Sequence, residues 1–442
     1  MTRTWVEQFQ AQAAGDGAAP AWLAPIRRHA IERFEALGFP TTRDEDWHYT
    51  SVAPIAEGDF TVRPDVGGTV LPADLAPYLF EHVEWPALVF VNGTFSPELT
   101  TLRTLPAGVR VLELERAWRE VPELLEANLT RLVDAERHAF TALNTAFLRD
   151  GAVVHIGSEM VADQPLHIVH VADANAAKSM LVPRTLIVAE RHAKATVIES
   201  FVALGDARYF TNAVSEVVIG DGATINHYKI QRQSARAFHV ATTQVRQGRD
   251  SHYVSFSFAT GAALSRTNVC TALEGEGCGA TLNGLYMMDG EQIVDHQTFI
   301  DHAQPNCFSR EVYKGILDGS SRGVFNGKVY VHPVAQKTDG KQENHTLLLS
   351  ERAQIDTKPQ LEIFADDVKC THGATVGRID QTALFYMKSR GIDQRSAREL
   401  LTYAFAADVL EQIEHPAVRE GLEALTLRRY RTGTEAQAAL AV

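Results

Sequence analysis

The hydrophobic and polar positions change rhythm twice along the 442-residue chain. In the first 150 residues, "PAWLAPIRRHAIERFEALGF" repeats apolar positions at helical spacing until "PTTRDEDWHYT" breaks it at Pro40. "WPALVFVNGTF" reads as a strand ending in an Asn92-Gly93 turn, and "LERAWREVPELLEANLTRLVDAERHAFTALNTAFL" returns to helical periodicity. From 151 to 376 the texture becomes short β-branched runs separated by Gly, Asp and Asn, with no long helical pattern. From 377 to 442 it is helical again. There "IDQRSARELLTYAFAADVLEQIEHPAVREGLEALTLRRY" gives two helices, the first N-capped by Asp393 and the second opened by Pro416, and the tail "RTGTEAQAALAV" reads as frayed.

A weak repeat runs through the middle region. Ala-Thr followed by an apolar residue or Val recurs at Ala195, Ala223, Ala280 and Ala374, with gaps of 28 and 57 residues between the first three. "SHYVSF" near His252 fills the missing copy. A period near 28 in an all-β stretch suggests stacked coils of a β-helix, with a β-sandwich as the alternative.

Composition narrows the function. Lys+Arg 42 against Asp+Glu 55 gives a net charge of −13, which disfavours nucleic acid or an anionic membrane as a partner. The first twenty residues lack the apolar core of a signal peptide, and no run of eighteen apolar residues occurs, so a cytoplasmic location is expected. The four cysteines, Cys270, Cys278, Cys307 and Cys370, include no CxxC pair and form no disulfide framework. "GVFNGK" at Gly323–Lys328 is one residue short of a phosphate-binding loop, with Val329 where Ser or Thr would hold magnesium, so no ATP hydrolysis is expected. No GxGxxG element is present either.

Three polar clusters remain. "DHQTFIDH" places His296 and His302 on one strand face, as a metal pair or as a ladder of stacked polar side chains. Lys328, Lys337 and Lys341 read as solvated charge. In "DDVKCTHGATVG", Cys370 and His372 are two apart, so a strand would set them on one face roughly 7 Å apart at Cα. Two donors are too few for a closed metal site, so the pair is half a site or a buried cysteine beside a structural histidine.

The stretch "YKGILDGSSRGVFNGKVYVHPVAQKTDGKQENHTLLLS", followed by "IDTKPQLEIFADDVKCTHGATVG" and "LFYMKSRGI", resembles the SufB/SufD family of iron–sulfur cluster assembly scaffolds. "RDEDWHYT" is similar to that family's N-terminal motif, with His48 where Lys is common. The absence of cysteine before residue 270, and Gly373 after the motif histidine, resemble the SufD side of the family. The resemblance implies a mainly β fold, a right-handed β-helix core flanked by N-terminal and C-terminal helical regions. It implies a non-enzymatic scaffold that pairs with SufB and binds the SufC ATPase through the C-terminal helices, and that can form a homodimer when isolated. It further implies that His372 serves a transient iron–sulfur cluster or iron site shared with SufB, with Cys370 as a second candidate ligand and nothing tightly bound to the isolated chain. A purely structural subunit and a β-helix enzyme are the competing readings. The apolar positions Leu400, Leu401, Ala404, Phe405, Val409, Leu410, Val418, Leu422, Leu425 and Leu427 exceed what two helices can bury on each other, so part of that surface is expected to dock SufC.

Overall fold

From Lys194 the chain repeats one unit, a strand of eight to ten residues, a turn and a second strand, which stack as successive coils. The computed structural model describes residues 2–13, 20–63, 67–80, 85–102 and 105–430; the tail read as frayed lies outside them. Every second strand stacks in parallel register: Thr224 pairs with Lys194 and with His252, His252 with Gly279, Gly279 with Phe308, Phe308 with Asp339 and Asp339 with Lys369. The coil length is therefore 27 to 31 residues. The result is a mainly β chain, a two-sheet β-solenoid of about eight turns between helical flanks.

The period read from the sequence matches these coils, but the motif is not their register. Ala195, Ile225, Tyr253 and Ala280 share one column, whereas Ala223 precedes its strand and Ala374 stacks on Asn344 in another column. At Ala195, Ala223 and Ala280 the Ala-Thr pattern marks the place where a turn enters a strand, and a turn can shift by two residues without changing which side chains face inward; Ala374 lies in mid-strand.

Among the described residues each sheet has ten strands, and the N-terminal region supplies some of them. Ala87–Val91 pairs in parallel with Leu166–Ala172, and Val109–Glu113 runs antiparallel to Ala152–Ile156. The turn after Val91 uses positive φ at Asn92 (51°) and Gly93 (87°), as a two-residue hairpin requires.

Alternation along each strand builds the layers. Inward residues such as Val197, Leu282, Val294, Phe325 and Val329 form the core between the sheets. Outward residues meet helices. On one sheet, Phe210, Phe238 and Leu264 lie beneath Phe34, Phe140 and Phe147 of the N-terminal helices. On the other, Tyr228, Phe256, Leu285 and Ile316 lie beneath Val409, Leu410, Val418 and Leu422. Among the described residues the C-terminal region holds three helices, Gln381–Ser389, Gln394–Leu410 and Pro416–Tyr430, one more than its periodicity suggests. Asp393 caps the second through hydrogen bonds from the Arg395 and Ser396 amides, and Pro416 opens the third.

"RDEDWHYT" is a clamp onto the solenoid wall. The Arg266 guanidinium lies 3.7 Å above the Trp47 ring and donates to the Asp46 carbonyl (2.6 Å) and to Asp295 Oδ2 (2.7 Å). The Thr50 hydroxyl donates to the same carboxylate oxygen at 2.6 Å. Arg266 and Asp295 are buried, so the charge pair is shielded from water and ties the two regions in one geometry.

Candidate functional site at the open end of the solenoid

The two ends of the solenoid differ. At the N-terminal end the sheets finish in antiparallel strands, whereas at the other end the last strands, Gln354–Ile363 and Lys369–Gly377, each pair on one side only among the described residues. Upstream strands alternate buried and half-buried residues; along Lys369–Gly377 nearly every residue is exposed. Such an edge carries unpaired N–H and C=O groups and is a template for another strand. Pro359 interrupts the donors on one of the two strands, and Lys369–Gly377 contains no proline.

Cys370 and His372 lie on that second strand. Cys370 packs against the core between the sheets: a methyl group on Gly340, its in-register neighbour, would come within 3.4 Å of the Cys370 Sγ. It is therefore an inward residue, and His372, two positions on, belongs to the same face. Cys370 is half-buried and its thiol is pushed up by burial, while His372 is exposed at the mouth.

Behind the mouth the interior turns polar. His372 stacks in register on Gln342, Gln342 on Glu311 and Glu311 on Leu282, and the next column runs Ala374, Asn344, Tyr313 and Gly284. Gln342 and Asn344 are fully buried and Glu311 nearly so. Gln342 Nε2 donates to Glu311 Oε2 at 2.7 Å. Burial pushes the Glu311 carboxyl up to about 7, against the hydrogen bond from Gln342 that lowers it. Glu311 Oε1, Gln342 Oε1, Asn344 Oδ1, the Tyr313 hydroxyl and both ring nitrogens of His296 are buried without a protein partner. Sequence reading missed this column because "DGKQENHTLL" looks like a turn; only its strict alternation of Gly340, Gln342, Asn344 and Thr346 could have revealed it.

The other candidates separate from the mouth. His296 and His302 do share the inward face: the His296 ring lies between Tyr286 and Tyr313, and His302 Nε2 is 2.9 Å from the Ser309 hydroxyl. Asp295 and Asp301 point outward, to Arg266 and His332, so the four residues of "DHQTFIDH" do not converge. Among the described residues, no group of three or more His, Cys, Asp or Glu is placed to hold a metal ion. Cys270 lies on the outer face near Asp46, its thiol pushed up by burial to about 12. Cys278 and Cys307 are core residues, and the Cys278 thiol donates to the Gly248 and Gly275 carbonyls. Lys328, Lys337 and Lys341 pair with Glu362, Asp367 and Glu343 at the surface. "GVFNGK" lies within the strand Arg322–Val331, where no loop cradles a phosphate.

Of the ten apolar helical positions, Val409, Leu410, Val418 and Leu422 are buried against the sheet wall, which takes up surface expected to be free for docking. Leu400 stays 47 % exposed, and the helix Gln381–Ser389 adds Phe385 at 73 % and Tyr386 at 56 %.

The open end thus carries a thiol and an imidazole on one face of its last strand. The chain belongs to the SufBD family: the SUF system FeS cluster assembly SufBD core domain matches residues 170–405, and the SufBD N-terminal region matches residues 4–168. It therefore belongs to the SUF system of iron–sulfur cluster assembly. Its relatives include the iron–sulfur cluster assembly protein SufD of Escherichia coli, 32% identical over 410 residues, 92% of each chain. SufD of Bacillus subtilis is 27% identical over 422 residues, covering 93% of this chain and 94% of its own. A SufBD family protein of Synechocystis is 33% identical over 416 residues, covering 92% of this chain and 91% of its own. Among the described residues no helix is long and apolar enough to cross a membrane.

Proposed function

We propose that this chain is a non-catalytic scaffold subunit, SufD-like, that pairs with SufB at its open end and presents His372 to a nascent iron–sulfur cluster shared between the two chains. The observation that carries the reading is the uncapped last coil, with an exposed imidazole and a half-buried thiol on the inward face of its edge strand. Thiolate and imidazole suit iron, and two donors hold a cluster loosely enough to pass it on once the partner's ligands let go. The cluster is cargo here, and the isolated chain holds none tightly. Without SufB, the same edge supports pairing with a second copy of this chain.

Cys370 is the lesser donor. Its thiol must lose a proton to ligate iron, and burial opposes that, whereas His372 needs no desolvated charge. The exposed Phe385, Tyr386 and Leu400 support docking of the SufC ATPase on the C-terminal helices, in the cytoplasmic setting of this reading. Purification of this chain with SufB and SufC tests it. A ternary complex is the expected result, and mutually exclusive or absent binding overturns the pairing.

A further inference from the structure

We propose that Gln342, anchored by Glu311, is the positioning residue for His372, an inference that rests on reading His372 as a ligand. Three observations fix Gln342 in place. Its side chain is fully buried, its Nε2 is committed to Glu311 Oε2 at 2.7 Å, and it lies against Gly327 on the opposite sheet, where a methyl group would come within 2.2 Å of that nitrogen. Once ionised, above about pH 7, the Glu311 carboxylate only accepts hydrogen bonds, and there it sets which end of the amide faces inward. Gln342 Oε1 is left buried and without a partner.

A buried carbonyl oxygen without a donor loses its hydration with nothing in return, so the arrangement calls for a donor. His372 is in register with Gln342 on the next strand, on the same face, and neighbouring strands lie about 4.8 Å apart. In this structure the bond is unmade, and a turn of the exposed His372 side chain would bring its lumen-side N–H to Gln342 Oε1 as donor. That bond fixes the tautomer, and the other ring nitrogen keeps its lone pair directed out of the mouth. Carboxylate, amide and imidazole thus form one line from the lumen to the edge. Metal-bound histidines are held in the same manner by a partner on their second nitrogen, and losing that partner lowers metal affinity about 10–100-fold.

The test begins on the isolated full chain, with no metal present. Histidine-labelled with 15N, and with His372→Ala to assign the signal, wild type is expected to show one dominant His372 tautomer. Gln342→Met keeps the volume and removes the acceptor, and should relax the ring to the tautomer mixture of histidine in an unfolded peptide. Glu311→Gln, which still accepts from Nε2, should keep the wild-type tautomer, whereas Glu311→Leu should lose it. The same ratio in wild type and a folded Gln342→Met overturns the proposal, as does a free-peptide mixture in wild type. In the complex with SufB, Gln342→Met should bind iron at least about tenfold more weakly, with Glu311→Gln near wild type. A tautomer lost in Gln342→Met with iron binding unchanged supports the positioning and overturns the reading of His372 as a ligand.

Discussion

Gly327 faces Gln342 across the lumen, and a single methyl group at Gly327 would come within 2.2 Å of Gln342 Nε2 and 2.8 Å of its Cδ. The glycine is there for space: Gln342 has no room to cross toward the opposite sheet otherwise. Gly327→Ala is expected to lower stability by about 1–3 kcal/mol, the usual cost of overpacking, and to displace the amide from Glu311. Thermal unfolding of the isolated chain checks this, and an unchanged unfolding temperature would show that Gln342 swings aside freely.

Glu311 makes stability depend on pH. Its carboxyl is raised from 4.5 to about 7 in the folded chain, so the folded state binds more protons than the unfolded state between those values. The contribution is fully present below pH ~4.5 and is lost as pH rises through about 7, on the order of 3 kcal/mol in all. Glu311→Gln removes this dependence. It should therefore be more stable than wild type at pH 8 and close to it at pH 4.5, as measured by urea unfolding at both values.

Cys370→Ser in the SufB-containing complex should lower cluster content less than His372→Ala. The thiol is raised by burial and half-covered by the core, and sulfur donors can come from the partner. Iron and acid-labile sulfide per complex decide it; equal losses would make both residues necessary ligands.

The docking of SufC is best tested by point substitutions. Deleting everything after Gly391 would uncover Tyr228, Phe256, Leu285 and Ile316 on the sheet wall, which Val409, Leu410, Val418 and Leu422 now cover. Phe385→Ser, Tyr386→Ser and Leu400→Ser together touch only exposed side chains. The triple variant should keep its unfolding temperature within a few degrees and retain less than a tenth of the SufC bound by wild type; undiminished binding would place the docking surface elsewhere.

Much of the solenoid was legible in the sequence. The 28-residue period, the all-β texture from 151 to 376 and the helical flanks follow from spacing, since coils of equal length must repeat their turns. The strands before residue 150 were less legible: Val109–Glu113 is a five-residue run beside helices, and only pairing with Ala152–Ile156 makes it a strand. At the mouth, Cys370 and His372 could be placed on one face from spacing alone. That this face looks into the lumen, and that Gln342 and Glu311 lie behind it, depends on register between strands about thirty residues apart. Local pattern cannot carry that information.

The central claim is that His372 holds cargo at the open end, and the most direct measurement is iron and acid-labile sulfide in complexes purified with wild-type and His372→Ala chains. His372 is exposed and on an edge strand, so its removal should leave the fold and the assembly with SufB and SufC intact. The account predicts an assembled complex with most of its iron and sulfide missing. An assembled His372→Ala complex with the same iron and sulfide as wild type would contradict it.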